Sequence, residues 1–238
     1  LTCAQDPAAQ QADYQGVLDA RNSANDDEIA IAMEDAAFPT LAQFMRPIWM
    51  RLANPAPEAC APAKTVLQAL DHDRSIAAQR RLKEGESELE AALPATVAAL
   101  KPALYAEYRA SDAAKDVYNR TRPYVVKIEG LPAIQSLSDK QYLNRLAKSS
   151  PSYPSGHTTF AFTSAAMLAA LLPDQAQIIM NRAERYGWHR VVMGVHFPTD
   201  VAAGKQAGLL VADAYLNDPV SKPGLEAARA ELRKALCY

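Results

Sequence analysis

Three short stretches hold the residue types that could do chemistry together. Lys115 and Arg122 stand seven positions apart, and Pro123 restricts the backbone of Arg122. Pro154–Ser155–Gly156–His157 comes next, followed by Arg190, His196 and Asp200. Lys115, Arg122 and Arg190 can surround a tetrahedral oxyanion, and arginine adds a forked donor geometry. Ser155 and Gly156 lead into an uncharged run, Thr158 to Leu172. A helix start there offers unbonded N–H groups and the positive end of a dipole, which suits an anion. With two histidines present, one can attack phosphorus while the other protonates the leaving oxygen. Asp200 lies four residues beyond His196, within reach across a helix-to-helix turn, and is placed to fix one imidazole tautomer. Such a set can transfer a phosphoryl group by charge stabilisation alone, so neither a metal nor a cofactor is expected.

Taken singly, each stretch has a plainer reading. Ser155–Gly156–His157 is a turn and a helix start, His196 a structural histidine, and Lys115 and Arg122 solvated surface. Their combination in this order and spacing favours the site.

The elements that must position these residues read as helices. Asp13 to Arg21 is a short helix, and Asn25, Asp26 or Asp27 caps another through Met33 and Phe38. Thr40 caps the run Leu41 to Leu52, whose Leu41, Phe44, Met45, Ile48 and Leu52 fall on one side as core. Pro55, Pro57 and Pro62 mark a loop, and Ala63 to Lys83 is amphipathic. His72, between Asp71 and Asp73, has no second ligand at helical spacing and reads as a surface residue. Glu86 to Leu93 forms a short helix, Thr96 to Arg109 another, and Ser111 caps a third through Lys115 and Tyr118. Glu107 and Asp112 read as solvated. Residues 124–151 form a long surface excursion with a helix at Asp139 to Ala147. A long helix from about Asp174 carries both Arg190 and His196, less than two turns apart, with Gly194 leaving room for an approach to the backbone. Thr199 caps the next, Asp200 to Leu216, where Val201, Gly204, Gly208 and Val211 give a small-residue face for close packing. Leu225 to Leu236 is the last. No stretch alternates strictly enough for a strand, so the expected fold is all-α, a single-domain helical bundle over 1–238 with a looser N-terminal part, about 1–60.

Composition narrows the partners. Lys and Arg total 25 against 27 Asp and Glu, a net charge of −2 with no basic block, which disfavours a nucleic acid polymer. The longest apolar run spans about 15 residues, short of the roughly 20 that cross a bilayer, so no transmembrane segment is expected. The start at Leu1 fits a periplasmic or secreted protein whose signal peptide has been removed, and equally a trimmed chain. Cys3, Cys60 and Cys237 are too widely spaced for a Cys-x-x-Cys motif, and leave three pairings or three free thiols open. The last helix and the N-terminal apolar stripe could serve a homo-oligomer, expected as a dimer, or pack within one subunit.

The three motifs together resemble those of the type 2 phosphatidic acid phosphatase (PAP2) superfamily, and most closely its soluble bacterial branch, the class A nonspecific acid phosphatases. The pattern is Lys-x6-Arg-Pro, here Lys115 to Pro123, then Pro-Ser-Gly-His, here Pro154 to His157, then Ser-Arg-x5-His-x3-Asp, here Arg190 to Asp200. The resemblance implies the helical bundle shared with vanadium haloperoxidases. It also implies metal-independent hydrolysis of phosphate monoesters, with inorganic phosphate as product and a possible transfer to alcohols. His196 would be the nucleophile, Asp200 its orienting partner and His157 the general acid and then base. Lys115, Arg122, Ser155, Gly156 and Arg190 would bind the phosphate. Lipid phosphates or diphosphates are the alternative substrates, and a vanadium haloperoxidase the alternative chemistry, for which the chain is short. One position departs from the pattern: His189 stands where the family has serine, and either packs away from the pocket or adds a proton donor at its rim.

Overall fold

In a computed structural model, residues 6–35, 40–45, 87, 89–138 and 140–236 are described. The elements are α1 (Pro7–Ser23), α2 (Asp26–Glu34), α3 (Pro94–Tyr118), α4 (Lys140–Ser149), α5 (Gly156–Leu171), α6 (Ala176–Val192), α7 (Pro198–Asn217) and α8 (Lys222–Leu236). A single 3-10 turn, Pro173–Gln175, joins α5 to α6. The fold is an all-helical single-domain bundle, with no strand among the described residues. None of the described helices is long and apolar enough to cross a membrane. Cys3, Cys60, Cys237, His72 and the predicted helix Ala63 to Lys83 lie outside the described residues.

The centre is α5. Its sequence is apolar or small on every side, so it has no face to turn to water. The bundle satisfies it by packing α3, α6, α7 and α8 around it. Contact is closest with α7: a Cβ on Gly204 would stand 2.6 Å from the Ser155 carbonyl oxygen, and one on Gly208 2.5 Å from that of Thr159. The two backbones therefore touch, as the small-residue face predicts, and any side chain larger than hydrogen would push α7 off the start of α5. Phe44, Leu93, Leu100, Phe162, Met167 and Leu168 fill the core around this axis. A second cluster, Tyr14, Val17, Ala20, Ala32, Ile134, Val191 and Phe197, docks α1 and α2 against the end of α6.

Several boundaries differ from the sequence reading. The α3 segment is one continuous helix through Pro102 and Ser111, not two. The Ser111 hydroxyl donates to the Tyr108 carbonyl at 3.2 Å, the local bond that lets a serine sit inside a helix. The start of α3 is capped from outside: Glu231 of α8 accepts from the Ala95 and Thr96 amides at 3.0 and 2.7 Å. Glu107 is buried rather than solvated, on a stripe of α3 with Ala103, Ser111 and Lys115, and burial pushes its carboxyl up to about 8. The helix carrying Arg190 ends at Val192, before His196. Thr199 does not cap α7, since the N-cap is Phe197.

Candidate active site

The end of α6 explains how Arg190 and His196 meet without sharing a helix. Gly194 adopts a left-handed conformation, φ +69°. The Val195 amide donates back to the Arg190 carbonyl at 3.3 Å, and the Gly194 amide to Val191 at 2.8 Å. This is the Schellman pattern, in which a glycine reverses the chain and satisfies the last carbonyls. The His196 amide also reaches the Arg190 carbonyl, at 3.3 Å, so the histidine folds back over the helix end. The room beside Gly194 is taken by the protein itself, because a Cβ there would meet Ile134 Cγ2 at 3.0 Å.

His196 is buried, and its ring nitrogens have distinct surroundings. Nε2 lies 3.1 Å from Arg122 Nη1. A guanidinium can only donate, so Nε2 holds the lone pair and the proton sits on Nδ1. Nδ1 lies 3.5 Å from Asp200 Oδ2, a charge contact longer than a formed hydrogen bond. Burial, then the charges of Arg122, Lys115 and Arg190, hold the imidazole well below its ordinary range, while the Ser152 backbone pulls the other way. His196 is therefore a neutral imidazole among cations, with its lone pair on the Arg122 side.

Asp200 is the third residue of α7, and its Oδ2 reaches back to the Phe197 amide at 2.8 Å, one half of a capping box. Oδ2 also accepts from the Ser152 hydroxyl, and Oδ1 from Arg120 Nη1 at 2.7 Å. Arg120 lies 4.1 Å over the Phe197 ring, and its Nη2 donates to Asp13 of α1 at 2.6 Å. Asp13 in turn accepts from the Thr199 amide at 3.2 Å and from the Thr199 hydroxyl. The sequence reading gave Arg120 and Asp13 no part in the site. Arg120 could have been given one, because it stands two residues before Arg122 in the same motif. Asp13 could not, because nothing local connects it to a site more than a hundred residues away.

The cations differ in how they are held. Arg122 Nε donates to Ser150 O at 2.9 Å and Nη1 to Val195 O at 2.8 Å. Lys115 Nζ donates to Pro151 O at 2.6 Å and Pro154 O at 2.7 Å. Burial, then Arg122, lowers the Lys115 ammonium to about 7, against the pull of Asp200 and Asp112. Arg190 is 1% exposed, yet its Nε and Nη1 have no hydrogen-bond partner among the described residues. An unpaired buried guanidinium is costly without an anion.

The stretch Ser155–His157 sits against these groups. The Ser155 amide donates to the Asp200 carbonyl at 3.0 Å, tying the start of α5 to the start of α7. Its Oγ caps α5, accepting from the Thr158 amide at 3.4 Å and bonding the Thr158 hydroxyl at 2.8 Å. The serine amide is thus already used, and Gly156 is the first residue of α5, where amides have no partner within the helix. Ser111 Oγ and Lys115 Cε lie 3.4 and 4.0 Å from where a Gly156 Cβ would be. His157, half-buried, stacks on Tyr186 with centroids 6.2 Å apart and planes 21° apart. Tyr186 is flanked edge-on by Phe44 and lies 4.9 Å from the Arg182 guanidinium. Arg182 is clamped by both oxygens of Asp35, at 2.7 and 2.6 Å.

His189 joins that clamp and not the pocket: its Nδ1 is 2.6 Å from Asp35 Oδ2 and its ring is fully buried. Burial would raise the Asp35 carboxyl, but the bonds and charges of Arg182 and His189 outweigh it and hold it low. Of the two readings for His189, the structure shows packing. Among the described residues, no cluster of three or more His, Cys, Asp or Glu side chains could hold a metal ion.

Comparison with known protein families matches residues 93–220, more than half of the chain, to the PAP2 superfamily. The chain belongs to the PAP2 superfamily. All three motifs fall inside the matched region, whereas α1 and α2 fall outside it. Over 145 residues, 61% of this chain, it is 37% identical to an acid phosphatase of Zymomonas mobilis, covering 52% of that protein. It is 34% identical over 125 residues to the non-specific acid phosphatase of Salmonella typhimurium, covering 52% of this chain and 47% of the relative. The corresponding protein of Providencia stuartii is 29% identical over 125 residues. The chain thus spans about half the length of the curated relatives it matches.

Proposed function

We propose that this PAP2 member is a metal-independent acid phosphatase that hydrolyses phosphate monoesters through a phosphohistidine on His196. The observation that carries the reading is Arg190: a buried guanidinium with two unpartnered nitrogens, acting with Lys115 and Arg122 on a neutral buried His196. A phosphate dianion answers that charge and fills those donors.

In this reading the Nε2 lone pair of His196 attacks phosphorus and the P–O bond to the alcohol breaks. His157 gives its proton to the departing oxygen. The phosphorylated imidazole keeps its Nδ1 proton and gains positive charge, which Asp200 faces. Water then attacks phosphorus as His157 takes its proton, the P–N bond breaks, and His196 and inorganic phosphate are restored. An alcohol in place of water would give the phosphotransferase side reaction. The anion clamp makes no demand on the rest of the ester, which supports a broad range of small substrates.

Replacing His196 by alanine should lower release of phosphate from an aryl phosphate by roughly 10⁴-fold or more, with no change when a chelator is added to the wild type. Undiminished turnover in H196A would overturn the mechanism, and loss of wild-type activity in chelator would overturn the metal-free site.

A further inference from the structure

We infer that α1, which lies outside the matched family region, belongs to the working site: Asp13 is a positioning residue that acts through Arg120 to set how much negative charge Asp200 presents to His196. The inference rests on the phosphatase reading above. Asp13, Arg120 and Asp200 form a chain of contacts at 2.6 and 2.7 Å, with side-chain exposures of 4%, 8% and 0%. Arg120 is held between the two carboxylates, and the Phe197 ring beneath it fixes its plane. The trio carries a net charge of −1. Without the Asp13 charge it would carry none, and Arg120 would neutralise Asp200 alone.

Two consequences of opposite sign follow. His196 gains positive charge as its Nε2 bonds to phosphorus, and Asp200 stabilises that charge. A neutralised Asp200 does so less well, and transfer slows. Bound phosphate, by contrast, is an anion beside Lys115, Arg122 and Arg190 and is repelled by Asp13, so removing that charge tightens its binding. A charge pair about 10 Å apart at an effective dielectric near 20 is worth roughly a tenfold change in an equilibrium or a rate. The plainer role, that Asp13 only anchors α1 to Thr199, predicts neither change.

The test uses the full chain and the variants Asp13→Asn, Asp13→Glu and Tyr14→Phe. Asparagine keeps one acceptor oxygen, which can serve Arg120 and the Thr199 hydroxyl, and turns its amide nitrogen to the Thr199 amide, so it loses the charge and that one bond. Tyr14→Phe removes the bonds of the Tyr14 hydroxyl to Pro132 O and the Ile134 amide, 3.0 and 3.2 Å, and so loosens α1 without touching any charge. Phosphoenzyme formation is followed in a single turnover quenched in alkali, and inorganic phosphate binding by calorimetry. D13N should form phosphoenzyme about tenfold more slowly and bind phosphate roughly threefold to tenfold more tightly. D13E should restore both, and Y14F should lower Tm and move neither. Should D13N not fold, Asp13→Ser, which also removes the charge, carries the same prediction. Unchanged or weaker phosphate binding in D13N, or the same pair of changes in Y14F, overturns the inference. A wild type that forms no phosphoenzyme and binds no phosphate overturns the phosphatase reading itself, and this inference with it.

Discussion

The two histidines have different surroundings. The His196 side is a lattice of directional bonds: Arg122 on Nε2, Asp200 near Nδ1, and Arg120, Ser152, the Phe197 amide and Asp13 behind them. On the His157 side the ring lies on Tyr186, which is backed by Phe44 and the Arg182–Asp35 pair. Directional bonds fix an angle, and a nucleophile must meet phosphorus in line with the leaving oxygen.

The contrast is broken most directly at Asp200. Asp200→Asn keeps the shape but can no longer accept every bond that the carboxylate accepts, and phosphate release should fall by roughly 10³- to 10⁴-fold, whatever the leaving group, in steady-state assays of aryl and alkyl phosphates. A loss under tenfold would mean that the lattice is structural only. His157→Ala should lose roughly 10²- to 10³-fold on an alkyl phosphate, where the departing oxygen needs a proton, and far less on a nitrophenyl phosphate, whose oxygen leaves unprotonated. Equal losses on both would remove His157 from proton transfer. Tyr186→Leu should show the same leaving-group dependence at about tenfold, because it displaces the acid without deleting it. A uniform loss would place Tyr186 in general packing instead.

The same difference explains what the sequence could show. Lys115, Arg122, Arg190, His196 and Asp200, the residues of the proposed site, could be picked out because a phosphate site would need those charges, and within each motif their spacing is short. The uncharged run after Gly156 marked the central helix, and Gly204 and Gly208 its closest neighbour. The supports were not legible. Asp13, Asp35 and Glu231 each act on a helix far away in sequence, and an aspartate on a short polar helix looks the same whether it faces water or Arg120. Placing Arg190 and His196 on one helix failed for a related reason: Gly194 was taken as space for a ligand, whereas its left-handed conformation ends α6.

Charge on the bonded side can be sharpened through pH. The Lys115 ammonium, lowered to about 7 by burial first and Arg122 second, is present below that pH and lost as pH rises through it. Because the folded value lies below the ordinary 10.5, the empty fold loses stability as pH falls from 10.5 to 7, where the unfolded chain is protonated and the buried amine resists, and a bound anion offsets the cost of the buried charge below 7. Sulfate, whose charge is constant in this range, should therefore raise Tm more at pH 5.5 than at pH 8.5. Lys115→Arg, charged at both, should narrow the difference. An equal sulfate shift at both pH values in the wild type would remove Lys115 from the anion site.

Glu107, on the buried stripe of α3, gives the smallest effect. It lies two turns before Lys115 on the same stripe of α3, and its Oε2 has no hydrogen-bond partner. Burial raises its carboxyl from about 4.5 to about 8, the opposite direction from Lys115. A raised folded value leaves stability intact below the unfolded pKa and removes it as pH climbs from there through 8, because the unfolded chain ionises and the buried group resists. The full window corresponds to a few kcal/mol, on the order of 1.4 kcal/mol per unit. Glu107→Gln presents the neutral shape at every pH, so it should raise Tm at pH 8 by several degrees and change it little at pH 4.5, read from melts at the two values. An equal shift at both would mean that the substitution changed packing alone. A lower Tm at pH 8 would mean that the ionised carboxylate stabilises the fold.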